Sequence, residues 1–306
     1  MKRRDFIKKS LGAGVFTGSL LTMGSYGKIF ADTTSNSAVD YDLIGIRGGE
    51  PVPMFDRAIE SMGGMRKYVK PGQKVVVKPN IGWDVKPELA ATTNPKLVAR
   101  IIEQCYAAGA KKVYVFDHTC DEWRKSYQTS GIEKAAKDAG ATVAPGHTES
   151  YYQHVDVPQG KVLKEAKEHE LMLESDVFIN VPILKDHGSA RMTIAMKNLM
   201  GVIYDRSFWH RNGLHQCIAD FASYRQPDLN IVDAYRVMTR NGPRGKTKSD
   251  VAIKKYMVLS DDIVAADAAS AKVLNPNERV AHIEMGDKMG YGEADLSKLK
   301  INRIKI

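Results

Sequence analysis

The chain has 306 residues, is 43% hydrophobic and 26% charged, and carries a formal net charge of +9. It is too long for a disulfide-stapled mini-domain and too apolar for a disordered chain, and it can bury a sizeable core. The positive balance first points to nucleic acid or an acidic surface. Residues 1–31, however, hold six of the 45 Lys and Arg and one of the 36 Asp and Glu, which leaves a net +4 on the rest. With no basic stripe beyond them, a nucleic-acid partner is not expected.

The start, Met1-Lys2-Arg3-Arg4-Asp5-Phe6-Ile7-Lys8, resembles the twin-arginine export signal of bacteria. A weakly apolar stretch, 11–31, follows. Its many glycines and Lys28 argue against a stable membrane span. Ala31 offers a small residue for cleavage, although Ile29 fits the small-x-small rule poorly. The expectation is therefore a signal peptide over 1–31, the twin-arginine translocase as a partner, a periplasmic location and no stable transmembrane anchor in the mature form. Residues 32–41 are small and polar, as in a linker.

Beyond the linker, strand-like and helix-like segments alternate. Residues 42–47 (DLIGIR) read as a strand and 54–62 as a helix. Residues 74–81 (KVVVKPNI) begin with the continuous Val run of a strand buried on both faces. Asn94 and Pro95 are a good N-cap and first residue for a helix running to Ala110, with Gly109 as its stop. Residues 112–117 (KVYVFD) form the next strand, 131–139 a helix ended by Gly140, and 142–144 a short strand. Residues 177–184 (VFINVPIL) read as one strand and 189–200 as a helix closed by Gly201. A helix over 213–224, strands over 229–234 and 256–260, a helix over 263–274 and a strand over 299–304 complete the pattern. Such alternation predicts an α/β fold: a mostly parallel open sheet with helices on both faces. One domain is expected over 42–306, with two lobes meeting near 150–175 as a variant of it. No Gly-rich dinucleotide or Walker-type loop follows any strand.

Ligands of open α/β sheets bind beyond the carboxyl ends of the strands. There the chain carries Lys78 and Asn80, Asp117 and His118, Lys185 and His187, Asp233, and Asp261. Lys185 and His187 precede the helix predicted at 189, whose first amides would favour an anion. Lys197 and Asn198 lie late in that helix. The loop Asn241-Gly242-Pro243-Arg244 adds a backbone that permits close approach and a guanidinium suited to a carboxylate or phosphate. These residues converge on a small anionic ligand. His187 is the first choice for acid–base work because it titrates near neutrality. Lys185 and Asp117 join it as catalytic candidates. Asp117, Asp233 and Asp261 are oxygen ligands of the kind Mg²⁺ takes, although their spacing does not require a metal. Cys105, Cys120 and Cys217 form no C-x-x-C pair, so no iron–sulfur cluster or structural zinc is expected. One disulfide among them would be allowed, its pairing open.

Six stretches are similar to one bacterial and archaeal family, catalogued as domain of unknown function 362. They are VVVKPNIGW (75–83), ATTNPKLVARII (91–102), AGAKKVYVFDH (108–118), VFINVPILKDHGSARMTIAMKNLMGV (177–202), PDLNIVDAYRVMTRNGPRG (227–245) and LSDDIVAADAASAKVL (259–274). The resemblance implies that Lys78, Asn80, Thr93, Asn94, Asp117, Lys185, His187, Lys197, Asn198, Asp233, Gly242, Pro243, Asp261 and Asp267 are family positions. Some members add a cysteine-rich ferredoxin-like segment, for which this chain has no cysteines. The expectation is an exported enzyme acting on a small phosphorylated or carboxylated substrate; the alternative is a non-catalytic ligand- or cofactor-binding protein.

Overall fold

The computed structural model describes residues 40–306. The expected export signal and most of the expected linker lie outside the described residues. β1 (Leu43–Arg47) is followed by α1 (Pro51–Ser61), and β2 (Lys74–Pro79) by α2 (Pro95–Ala107). β3 (Lys112–Val115) leads through α3 (Trp123–Thr129) and α4 (Ile132–Asp138) to β4 (Thr142–Val143). The expected meeting place of two lobes, 150–175, carries an antiparallel ribbon of β5 (Tyr152–Asp156) and β6 (Glu165–His169), and then α5 (Glu170–Glu174). Next come β7 (Val177–Val181), β8 (Ile183–His187), β9 (Arg191–Thr193), α6 (Ala195–Asn198), α7 (Ser207–Arg211) and α8 (Leu214–Tyr224). The order closes with β10 (Leu229–Met238), β11 (Val251–Ser260), α9 (Ile263–Leu274), α10 (Ala281–Lys288) and β12 (Ile301–Lys305).

The main sheet has the order β12-β1-β11-β10-β7-β2-β3-β4, with β8 and β9 attached beside β10. β11 is antiparallel to both of its neighbours; the other pairings along that path are parallel. The fold is thus the mixed α/β one expected, with a mostly parallel sheet. The Val run of β2 shows why continuous apolar strands are needed. Val76 enters the core beneath α6, α8, α9 and α10, with Phe178, Val232, Met196, Ile218 and Val264. Val75 and Val77 point to the other face and pack with Ile179, Ile231, Phe55, Val98, Ile101 and Ile132. Both faces of each central strand are covered, so alternation is absent from the sequence.

Two segments depart from expectation. Residues 177–184 are two strands, because Pro182 cannot donate to the ladder. β7 stops at Val181, and β8 restarts beside the far half of β10, pairing Ile183 with Asp233 and Lys185 with Met238. The helix expected over 189–200 is instead the tip and return strand of a β8–β9 hairpin, followed by the short α6. Met192 and Thr193 are buried in that return strand, and Arg191 takes a left-handed φ of 65° at the turn. β10 and β11 also extend further than expected, as a long hairpin.

Asn94 caps α2 as its sequence suggests: its side chain accepts from the Lys96 amide at 3.0 Å, and Pro95 opens the helix. Asn94→Ala should therefore lower stability by about 1 kcal/mol, read as a shifted urea midpoint with an unchanged slope.

Candidate anion-binding and active site

β2, β3 and β7 are in parallel register and end together. Above those ends lies a cavity of about 60 Å³, lined by Lys78, Asn80, Asp117, His118, Cys120, Lys185, His187, Lys197, Asn198, Gly201 and Arg206, among others. It opens into a larger vestibule of about 540 Å³. His118, Cys120, His187, Lys197, Met200, Arg206, Trp83 and Pro243 line both spaces and so form the throat. Lys78, Asn80, Asp117, Lys185 and Asn198 line only the inner pit. The volume suits a few waters or one compact anionic group.

The floor is a buried ion pair. Lys78 Nζ lies 2.9 Å from Asp117 Oδ1, and the side chains are 1% and 3% exposed. Lys78 Nζ also donates to the Asn198 carbonyl at 2.6 Å, and Asp117 Oδ2 accepts from the Ile81 amide at 2.6 Å. Burial pushes the Lys78 pKa down, and the Asp117 charge works against that shift. Gly201 closes over the pair: a Cβ there would fall 1.8 Å from Asp117 Oδ1 and 2.4 Å from Lys78 Nζ. An amide relay runs outward from the pair. Asn80 Nδ2 donates to Asn198 Oδ1 at 3.0 Å, Asn198 Nδ2 to Asn180 Oδ1 at 2.8 Å, and Asn180 Nδ2 to Asn230 Oδ1 at 3.0 Å.

Two further lysines enter the pit. Lys185, on β8, donates to the Ala91 carbonyl at 2.5 Å and to Asn80 Oδ1 at 3.2 Å. Burial lowers its pKa to about 7, and Lys197 and Lys78 push the same way. Lys197, on α6, has as its hydrogen-bond partner the thioether of Met200, with Nζ to Sδ at 3.3 Å. Burial lowers it to about 8, with Arg206 and Lys78 adding to the effect. α6 is itself held by buried Asp267, which accepts from the Ala195 amide at 2.6 Å and the Met196 amide at 3.2 Å. The expected helix-terminus anion site is thereby corrected. The helix starts at Ala195, not 189, and these two amides of its first turn are taken by a carboxylate.

The two throat histidines have opposite tautomers. His187 Nδ1 accepts from the Ala190 amide at 3.2 Å, so Nε2 carries the proton of the neutral ring. Burial, Lys197 and Lys185 lower its pKa to about 2. His187 therefore presents Nε2–H as a hydrogen-bond donor in the neutral ring. His118 Nδ1 faces the Ile203 carbonyl at 2.8 Å. A carbonyl only accepts, so the proton sits on Nδ1 and Nε2 keeps its lone pair. Burial and Arg206 lower the His118 pKa, a shift towards the neutral ring. Arg206 donates to the His118 and Thr119 carbonyls at 2.9 Å and 2.7 Å and stands 3.5 Å from the exposed thiol of Cys120.

The family described as a domain of unknown function, DUF362, matches residues 75–272. The chain belongs to this family. The matched stretch runs from β2 to α9 and contains every residue of the pit named above. A thylakoid-associated protein of Synechocystis sp., sll1697, is 26% identical over 224 residues, which cover 71% of this chain and 67% of the relative. A solved structure of the lactate racemase apoprotein from Thermoanaerobacterium thermosaccharolyticum aligns with a TM-score of 0.48 at 12% identity. The alignment covers 75% of this chain and 56% of the racemase chain, so this chain spans little more than half of that protein.

Other expected residues of this DUF362 protein lie elsewhere or are otherwise engaged. Thr93 Oγ1 donates to the Val181 carbonyl at 2.7 Å and accepts from the Asn80 amide at 2.8 Å, which locks the β2 exit. The Asn94 amide donates to Asp233 Oδ2 at 2.8 Å, so both residues serve the start of α2. Asp233 lies mid-strand, because β10 runs on to Met238. Asp261 follows antiparallel β11, whose last residue, Ser260, pairs with Leu43 at the start of β1 and Asn230 near the start of β10; it therefore sits beyond the amino ends of the parallel strands, away from the pit. Asp117, Asp233 and Asp261 are thus not brought together, and among the described residues no group of three or more His, Cys, Asp or Glu could hold a metal ion. The 241–245 loop is also reassigned. Gly242 makes its close approach to Asp186, whose carbonyl would lie 1.8 Å from a Cβ there. The Asn241 side chain donates to Asp250 at 2.8 Å, and Arg244 reaches Asp121 at 3.3 Å. Arg206, which no pattern in the sequence marks, lines the cavity, and Arg244 does not. The three cysteines are free, with Cys105 and Cys217 buried in different cores.

Two predictions follow from this geometry. Gly201→Ala should separate Lys78 from Asp117 and cost about 1–3 kcal/mol, the usual range for overpacking, read by urea denaturation. Second, Lys185 and Lys197 have folded pKa values of about 7 and about 8, below the ordinary 10.5. Above pH 7 the unfolded chain holds protons that the folded protein has released. These two lysines should therefore contribute a gain in stability from pH 7 towards 10, seen as a urea midpoint that rises more with pH in the parent protein than in Lys185→Met or Lys197→Met.

Proposed function

We propose that this protein is an enzyme acting on a small anionic substrate, phosphorylated or carboxylated, bound in the pit. One observation carries the reading: Lys78, Lys185, Lys197 and Arg206 surround the cavity against the single carboxylate of Asp117. Buried charge of one sign is costly unless a partner neutralises it, and an entering anion does so. Lys185, Lys197 and Arg206 hold the anion. The Lys78–Asp117 pair and the amide relay keep the floor in place. His187 Nε2–H donates to an oxygen of the substrate. His118 Nε2, with its lone pair free, accepts a proton from the substrate at the throat. Asp117, with Oδ1 at Lys78 and Oδ2 accepting from Ile81, anchors the site and moves no proton.

Calorimetric titration with inorganic phosphate and with acetate tests the binding half. Lys197→Met should weaken whichever anion binds by at least tenfold, about 1.4 kcal/mol. It should also raise the urea midpoint of the ligand-free protein, since it removes a buried ammonium with no oxygen partner. Equal affinity in both proteins would sink the proposal. Native mass spectrometry of the purified protein, before and after long incubation, tests the catalytic half. A copurified anion that never changes favours the non-catalytic binding protein instead.

The same proposal includes export. The Arg3-Arg4 signal over residues 1–31 supports delivery by the twin-arginine translocase to the periplasm. Among the described residues no helix is long and apolar enough to cross a membrane. Arg3→Lys together with Arg4→Lys should retain the protein in the cytoplasmic fraction; unchanged periplasmic recovery would refute the route.

A further inference from the structure

The three lysines of the pit differ in what their nitrogens touch. Lys78 is held by a carboxylate and a carbonyl, and Lys185 by a carbonyl and an amide oxygen. Both keep their protons pointed at oxygen. Lys197 meets only the weakly accepting sulfur of Met200. It also stands at the throat, between the inner pit and the vestibule, beside His118, His187 and Arg206.

An amine in this position lacks what stabilises an ammonium and has neighbouring cations that oppose one, the arrangement that turns a lysine into a nucleophile. Lys185 lines only the inner pit and Lys197 lines both pit and vestibule, so a carboxylate seated towards Lys185 would direct the rest of its molecule towards Lys197. We propose that Lys197 is a catalytic nucleophile that forms an imine with the carbonyl carbon of an oxo acid, whose carboxylate is the anion held in the pit. This rests on the anion-site reading and adds the class of substrate to it.

The step balances without an oxidant or reductant. The neutral Lys197 amine adds its lone pair to the carbonyl carbon. The C=O π pair moves to oxygen, which takes a proton from the attacking nitrogen by way of His118 Nε2. The remaining N–H proton of the carbinolamine then passes through His118 Nε2 to that hydroxyl, which leaves as water while the nitrogen lone pair forms the C=N bond. Carbonyl plus amine has become imine plus water. His187 Nε2–H donates to the carbonyl oxygen as charge builds there. The lowered pKa of Lys197, about 8, is compatible with a neutral fraction at neutral pH.

The test is borohydride trapping on the full chain, with glyoxylate, pyruvate and phenylpyruvate as probes and calorimetry run in parallel. The expected result is one reduced adduct per chain with at least one probe, located at Lys197 by peptide mass spectrometry. Its yield should rise from pH 6 to 8 while probe affinity falls. Lys197→Arg should give no adduct yet bind the same probe more tightly than Lys197→Met does. Binding without an adduct, or adducts spread over surface lysines, would overturn the nucleophile and leave the anion site standing. No binding of any probe, phosphate or acetate would overturn both.

Discussion

The Lys78–Asp117 ion pair ties together the parts of the molecule that make the site. Lys78 belongs to β2, Asp117 follows β3, and Lys78 Nζ also reaches the carbonyl of Asn198 at the end of α6. Asp117 Oδ2 holds the Ile81 amide, so the same carboxylate fixes how the chain leaves β2. Buried pairs seldom add net stability over an apolar substitute. This one specifies geometry instead. It permits one seat for α6, and that seat decides where Lys197 points. The close approach of Gly201 belongs to the same constraint, because any side chain there would occupy the space of the pair.

A polar row continues from the pair across the sheet. Lys78 is in register with Asn180, Asn180 with Asn230, and Asn230 with Ser260, which places one polar residue on each of β2, β7, β10 and β11. The face they share is otherwise the apolar floor beneath α6 and α9. Buried amides are costly unless satisfied. Here each asparagine donates to the next, and Asn230 donates to the Ser260 carbonyl at 3.3 Å. The row therefore acts as a rigid bar under the pit. It keeps Asn198, and with it the end of α6, from sliding along the sheet.

Much of the framework is legible in the residues themselves. The Val run of β2, the Asn94-Pro95 start of α2 and the Gly109 stop each follow from a local rule that tertiary contacts do not override. Strand-end reasoning brings Lys78, Asp117, Lys185 and His187 to one rim because β2, β3, β7 and β8 all run in one direction. It fails for Asp261 because the direction of β11 is a property of pairing, which one strand's sequence does not record. It fails for Asp233 because β10 continues past the point where its apolar run thins. Residues 189–200 have helical spacing, but Pro182 has already redirected the chain, and the hairpin claims Met192 and Thr193 first. Arg206 comes from an irregular segment, where periodicity carries no information. Asn180 and Asn230 did leave a mark: asparagine is depleted in strand interiors, so two of them inside VFINV and LNIVD point to a buried polar contact.

The proposed means of holding an anion also follows from which backbone groups are already engaged. The Ala195 and Met196 amides of α6 are engaged by Asp267, so that helix terminus does not offer them to a ligand. The proposed recognition therefore falls to Lys185, Lys197 and Arg206, and side-chain cations differ from amides in a way that matters. An amide keeps its proton at every physiological pH, whereas a buried ammonium with too few oxygen partners does not. Of the three, Arg206 stays charged throughout, Lys185 is braced by two oxygens, and Lys197 is braced by none. The same burial that makes Lys197 a strong ligand for an anion when protonated makes it a free amine when not. The proposed binding and covalent chemistry would therefore draw on alternate states of one nitrogen, whose pKa burial lowers to about 8.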